Sequence, residues 1–291
     1  MFDWITDPAA SPLLQRALLA GVCVAIICAL VGVWVVLRGL AFFGDAMSHG
    51  MLPGVAIAAL LGGNPMLGAA LAVAVMALGV STIDRLTRLR SDTAIGVLFA
   101  GMLAAGVIIV SRSDNFAVDL TGFLFGDVLA VRAGDLPPLL MALGLVLIVI
   151  LGGHRAFLAL SFDPRVAHTL GLRPGLAQAV LISLVAVANI VSFHLVGTLL
   201  VFGLLIAPAA TALLVCRRIP QAMLLASALG IAAVIGGLLL SWHARTAAGA
   251  SITAVAVLLF LVVLLGRRLR GSSRVRNRSV HHALITTPVS P

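Results

Sequence analysis

The sequence predicts an all-α membrane protein, a polytopic helical bundle of about nine transmembrane helices. Three observations predict it. Of 291 residues, 62% are hydrophobic and only 10% charged, and the mean hydropathy is +1.20. A soluble domain carries about 25% charged residues, so there is too little charge here to wet a globule. The apolar residues fall into nine runs, where a spanning helix needs roughly 20 mostly apolar residues. Most of the arginines lie beside those runs, as topology determinants do.

In chain order, residues 1–12 read as an external segment. It carries Asp3 and Asp7 and lacks the basic start of a cleavable signal. The membrane domain is 13–266, with runs at 13–37, 41–61, 66–83, 93–111, 136–153, 176–193, 195–215, 221–241 and 251–266. Each is rich in Leu, Val, Ala and Gly. Residues 84–92, DRLTRLRSD, make a short polar connection. Residues 112–135 have a short apolar middle, which predicts a re-entrant or surface-lying segment. Residues 154–175 form a longer loop containing SFDPRVAHTLGLRPG. Asp163 there suits an N-cap, Pro164 the first helical position and Gly171 the residue after the last turn. A capped helix of six or seven residues in this loop is either a docking element or an ordinary connection. Pro208 interrupts the seventh run; it should release the Leu204 carbonyl and permit a kink. Ala207, Ala209 and Ala210 beside it suit a packed helix interface. Trp242, next to His243, suits an interfacial position at the end of the eighth run. The basic, Ser-rich tail at 267–291 predicts disorder, with its arginines near anionic lipid headgroups.

Arginine placement sets the orientation. With the N-terminus outside and 112–135 not crossing, Arg38, Arg85, Arg88, Arg90, Arg155, Arg165, Arg173, Arg217, Arg218 and six tail arginines lie inside. Four lie outside: Arg16, Arg112, Arg132 and Arg245. A full crossing at 117–131 would reverse that bias. The positive-inside rule therefore selects nine spans, N-out and C-in.

Absences narrow the chemistry. All 10 acids are Asp and all 19 bases Arg; Glu, Lys and Tyr are missing. Without Lys there is no Walker A lysine and no Schiff base, and without Glu no H-E-x-x-H zinc hydrolase. If ATP drives this chain, another chain hydrolyses it. Net charge +9 and a pI near 11.6 do not indicate nucleic acid, because the arginines flank apolar runs. Cys23, Cys28 and Cys216 lie in or at the edge of those runs and read as small core residues.

The candidate site is in the second run, GLAFFGDAMSHGMLPGVAIAALLG. Ionisable residues within spans are costly and usually functional. Asp45 and His49 are four apart and share one helix face. A carboxylate and an imidazole together ligate zinc or manganese. Pro53 has no N–H for the carbonyl four residues back, which predicts a free His49 oxygen beside the pair. Gly44, Gly50 and Gly54 allow close helix approach. The competing reading is a pair that only locks two helices together. His194, at the junction of the sixth and seventh runs with Asn189 and Ser192 nearby, is a lesser candidate for lining an entry path. A lone histidine there is more often a cap or interface residue.

Three stretches carry a family resemblance. WVVLRGLAFFGDAMSHGMLPGVAIA resembles the start of the ABC-3 permeases, the manganese/zinc/iron chelate uptake transporters of bacteria. LVGTLLVFGLLIAPAATALLV resembles their late span and SFDPRVAHTLGL their cytoplasmic loop. The similarity runs in order from about 13 to 266, with FFGDAMSHG its most specific part. It implies a type II ABC importer-like permease in the bacterial inner membrane. A second permease copy, two copies of a cytoplasmic ATPase and an extracytoplasmic metal-binding protein would be its partners. No permanently bound cofactor is implied; zinc, manganese or iron would be cargo. Asp45 and His49 match the family's Asp-x-x-x-His. Asp163, Pro164, Arg165, His168 and Gly171 fall in the loop that would insert into the ATPase. Position 194 varies in the family. Pro53 and Pro208 would be kinks that serve gating. The alternatives are a permease for an iron–siderophore or cobalamin, an intramembrane hydrolase, and a proton-driven metal transporter.

Overall fold

A computed structural model describes residues 12–86, 91–111, 131–162 and 173–285. The described residues form ten α-helices: α1 Pro12–Leu37, α2 Ala41–Gly50, α3 Leu52–Leu60, α4 Pro65–Leu86, α5 Ser91–Ser111, α6 Leu136–Phe162, α7 Pro174–Val196, α8 Thr198–Val215, α9 Ile219–Ala244 and α10 Ala248–Ile285. Seven are long and apolar enough to cross a membrane, and α8 contains a shorter apolar stretch, Leu200–Val215. The run expected as a single span at 41–61 is two helices of 10 and 9 residues meeting at Met51. Together they supply about 30 Å of helix, one crossing's length.

The α1 helix is apolar all round, which is the signature of a buried helix. In its most apolar window 67% of residues are buried, and Val24, Ile27, Cys28, Val31 and Trp34 are fully enclosed. It packs against α6, α7, α8 and α9, while α10 closes the group against α8 and α9. Lipid is as apolar as leucine, so burial alone does not drive helices together in a bilayer; close van der Waals packing between small residues does. The structure shows where. A Cβ on Gly32 would overlap the Leu205 carbonyl of α8, and one on Gly237 of α9 would press into Ile252 of α10. Ala209 is fully buried on the same α8 face, as its small size led us to expect.

A second group, α2–α5, docks on α7 and α8. Its tightest point is the crossing of α3 and α4. There Gly54 and Gly68 face each other so closely that a Cβ on either would strike the other's carbonyl. Leu71 and Leu78 of α4 and Ile148 and Leu151 of α6 point outward. That surface would aggregate in water and is what a lipid-facing wall requires.

Several hydroxyls within the helices are satisfied locally. Ser161, Ser183, Thr211, Ser227 and Thr253 each donate to the carbonyl four residues back. Without water in the bilayer core, that is the cheapest partner available.

The connections follow turn chemistry. At the end of α1, Leu40 N–H donates to Val35 O (2.9 Å) and Gly39 N–H to Val36 O (3.1 Å). This is a Schellman turn, and Gly39 supplies its left-handed position at φ +67°. Asn64 caps α4 through Oδ1, which accepts from Met66 N–H at 2.9 Å. Asp135 opens α6 by accepting the Arg132 N–H at 2.9 Å.

Two elements outrun their expected limits. The α6 helix passes the expected end at 153 because His154 packs edge-on against Trp34, with ring centroids 5.5 Å apart. The α10 backbone stays helical to Ile285, through the arginine-rich segment where composition predicted disorder. Arginine is a good helix former, and extending an existing helix avoids the cost of nucleation.

Candidate functional site

The α2 helix is held on three sides. Phe43 and Met47 are buried, Gly44 admits Leu205 of α8, and Gly50 admits Met76 of α4. On the side toward α7, Ser48 Oγ donates to Asn189 Oδ1 at 2.7 Å, with the Gly44 carbonyl 3.0 Å away. Asn189 Nδ2 donates to Val185 O at 3.0 Å, so one buried amide serves both helices. Fixing Ser48 fixes the rotation of α2, because residues four apart share a face. It leaves Asp45 and His49 on a different face.

That face is the site. His49 Nε2 lies 3.6 Å from Asp45 Oδ1, and the two side chains are 25% and 34% exposed. The Phe99 ring of α5 stands edge-on to the His49 imidazole at 5.8 Å. Asp45 opens into a cavity of about 250 Å³ lined by Phe42, Ala46, Ile95, Gly96 and Phe99. Its walls are apolar apart from the carboxylate, so Asp45 is the polar feature a cation entering that space would meet. Among the described residues no group of three His, Cys, Asp or Glu side chains is placed to hold a metal. The described residues place one carboxylate oxygen and one imidazole nitrogen together on this face.

Pro53 is the second residue of α3, where its missing N–H costs nothing. The His49 carbonyl is not bare, contrary to expectation: the chain breaks at Met51, and the Met51 N–H is directed to it. Pro208 lies inside α8, as expected. His194 is on α7, five residues beyond Asn189, and its side chain is outside the described residues. Asp163, Pro164, Arg165, His168 and Gly171 lie outside them altogether. Cys23, Cys28 and Cys216 are free thiols, the first two buried. Sequence reasoning noted Asn189 but missed its bond to Ser48. The available signal was two small polar residues inside separate apolar runs.

Known proteins match closely. The profile of the ABC 3 transport family matches residues 10–267. The manganese transport system membrane protein MntC of Listeria innocua is 36% identical over 252 residues, which is 87% of this chain and 90% of that protein. The chelated iron transport system membrane protein YfeD of Yersinia pestis is 32% identical over 291 residues, 100% of this chain and 96% of its own length. A chain in the structure of PsaBC from Streptococcus pneumoniae in complex with Fab superposes with a TM-score of 0.79. It is 32% identical, and the match covers 90% of this chain and 94% of that one. The family profile runs from before α1 into α10 and includes Asp45 and His49, and the chain belongs to the ABC 3 transport family.

Proposed function

We propose that this chain is the membrane-spanning permease subunit of an ATP-driven importer of a divalent transition metal ion, and that Asp45 and His49 contact the ion in transit. The observation that carries the reading is an Asp–His pair on a helix that stops short at Met51, half-exposed beside an apolar cavity. A metal bonded at about 2.1 Å to one oxygen and one nitrogen at the tetrahedral angle holds them about 3.4 Å apart. The 3.6 Å separation of Asp45 Oδ1 and His49 Nε2 is close to that value. Two ligands per copy make a weak site, which suits an ion that must leave again. Two copies related by a twofold axis would bring four ligands together.

The names of the relatives support a metal as cargo: manganese for MntC and chelated iron for YfeD. Oxygen plus imidazole serves manganese, iron and zinc alike. The partners in this reading are a second permease copy, a cytoplasmic ATPase dimer that docks on the 163–171 loop, and an extracytoplasmic metal-binding protein. The chain sits in the bacterial inner membrane with its N-terminus outside. Pro53 and Pro208 act as the joints of its gates. The test is metal uptake into vesicles holding the permease with its ATPase. Uptake that needs ATP and the ATPase supports the reading; uptake driven by a proton gradient without the ATPase overturns it.

A further inference from the structure

Arg38, counted above among the inside arginines, also makes specific side-chain contacts. It follows the last residue of α1, and its half-buried side chain reaches two other helices. Nη1 donates to Leu160 O at 2.5 Å, and Nη2 donates to Gln178 Oε1 at 2.7 Å. Leu160 is in the last turn of α6, whose final four carbonyls have no partner within the helix. Gln178 is in the second turn of α7. The guanidinium thus grips both stems of the 163–172 connection. A planar fork with fixed donor directions is suited to holding two acceptors in register.

Arg38 is also the capping residue of the Schellman turn, next to the left-handed Gly39, and the turn's last residue, Leu40, leads straight into α2. Leu40 O accepts the Phe43 N–H at 3.0 Å, so no slack separates the turn from the helix. Asp45 follows five residues after Leu40, about 7.5 Å along the helix. A displacement of the α6 and α7 stems would therefore be delivered to the face that carries Asp45 and His49.

We propose that Arg38 is the positioning residue that couples movement of the facing ends of α6 and α7 to α2. This rests on the transport reading above, in which that side of the chain meets the ATPase. The clamp holds the two ends and α2 as one body, so ATP-driven displacement of those ends reorients the Asp45–His49 face.

The test uses the full complex of permease and ATPase in vesicles and reads metal ions moved per ATP hydrolysed. Arg38→Gln should assemble, hydrolyse ATP, and lower that ratio roughly tenfold, the size expected from losing one charge-assisted hydrogen bond. Arg38→Lys keeps the charge but not the fork, and Gln178→Leu removes one acceptor; each should lower the ratio by less. Combining Gln178→Leu with Arg38→Gln should add nothing further. A merely structural role would lower assembly while leaving the ratio at the parent value, and that result overturns the proposal. Failure of all three single variants to assemble overturns it too, since Arg38 would then be a folding residue. A parent complex that moves no metal with ATP would defeat the transport reading itself, and the clamp's role with it.

Discussion

The first two apolar runs of the chain are neighbours in sequence and opposites in structure. In α1, 26 residues run unbroken, buried by four other helices, with Trp34 fully enclosed. The α2–α3 pair divides 19 residues at Met51 and leaves Asp45 and His49 partly exposed. Its cover, α5, is the least buried of the long helices, at 17% of its apolar window against 67% for α1. Burial without polar side chains makes a post. A break, two ionisable groups and a thin cover make a part that can move and bind. The comparison teaches where substitutions should cost stability and where they should cost transport.

The largest expected effect is on the post. Gly32→Val has nowhere to put even its first carbon, because the Leu205 backbone is already there. We expect a loss of roughly 3 kcal/mol or more, seen as a collapse in yield and thermal midpoint in detergent. Any complex that survives should transport normally. A normal midpoint would show that the α1–α8 contact is not close-packed.

The join between the two regions should give the next largest effect. Ser48→Ala leaves the buried Asn189 oxygen without its donor, at a cost of about 1–3 kcal/mol. The double-mutant cycle with Asn189→Ala should return a coupling of about 1 kcal/mol. Because the bond sets the rotation of α2, transport per complex should fall as well. A zero coupling would separate the orientation of α2 from Asn189.

Pro53→Ala sharpens the contrast further. At the second position of α3 the proline costs the helix little, so stability should change by less than about 0.5 kcal/mol. The restored N–H can reach the His49 carbonyl and straighten the break, so the transport rate should fall severalfold. Equal rates in flux assays would remove the break from the mechanism. The smallest effect belongs to the lipid-facing wall. Leu71→Ala or Ile148→Ala should alter neither midpoint nor uptake by more than about 0.5 kcal/mol equivalent.

The bundle was largely legible in the sequence because length and hydropathy decide what crosses a bilayer. Runs at 13–37 and 93–111 became Pro12–Leu37 and Ser91–Ser111 almost residue for residue. What hydropathy cannot register is backbone direction. Residues 41–61 read as one apolar run, and the break at Met51 lies in the backbone, whose N–H there turns to the His49 carbonyl. Nor can it register a partner for a polar side chain, which is why α6 outran its expected end at His154, packed on Trp34. At the site, the shared face of Asp45 and His49 followed from helical spacing alone. The tether of Ser48 to Asn189 did not, because it joins positions 141 residues apart. Arg38 was read as a topology charge, yet its fork ties three helices together.

The account stands most directly on Asp45. Asp45→Asn keeps the shape of the side chain and removes the charge that favours a divalent cation. Metal uptake should be measured in vesicles with the ATPase partner, normalised to purified complex, beside His49→Ala. We predict that both variants assemble at parent levels and lose most of their uptake. Asp45→Asn complexes that assemble normally and move metal at the parent rate would contradict the claim that this pair touches the ion.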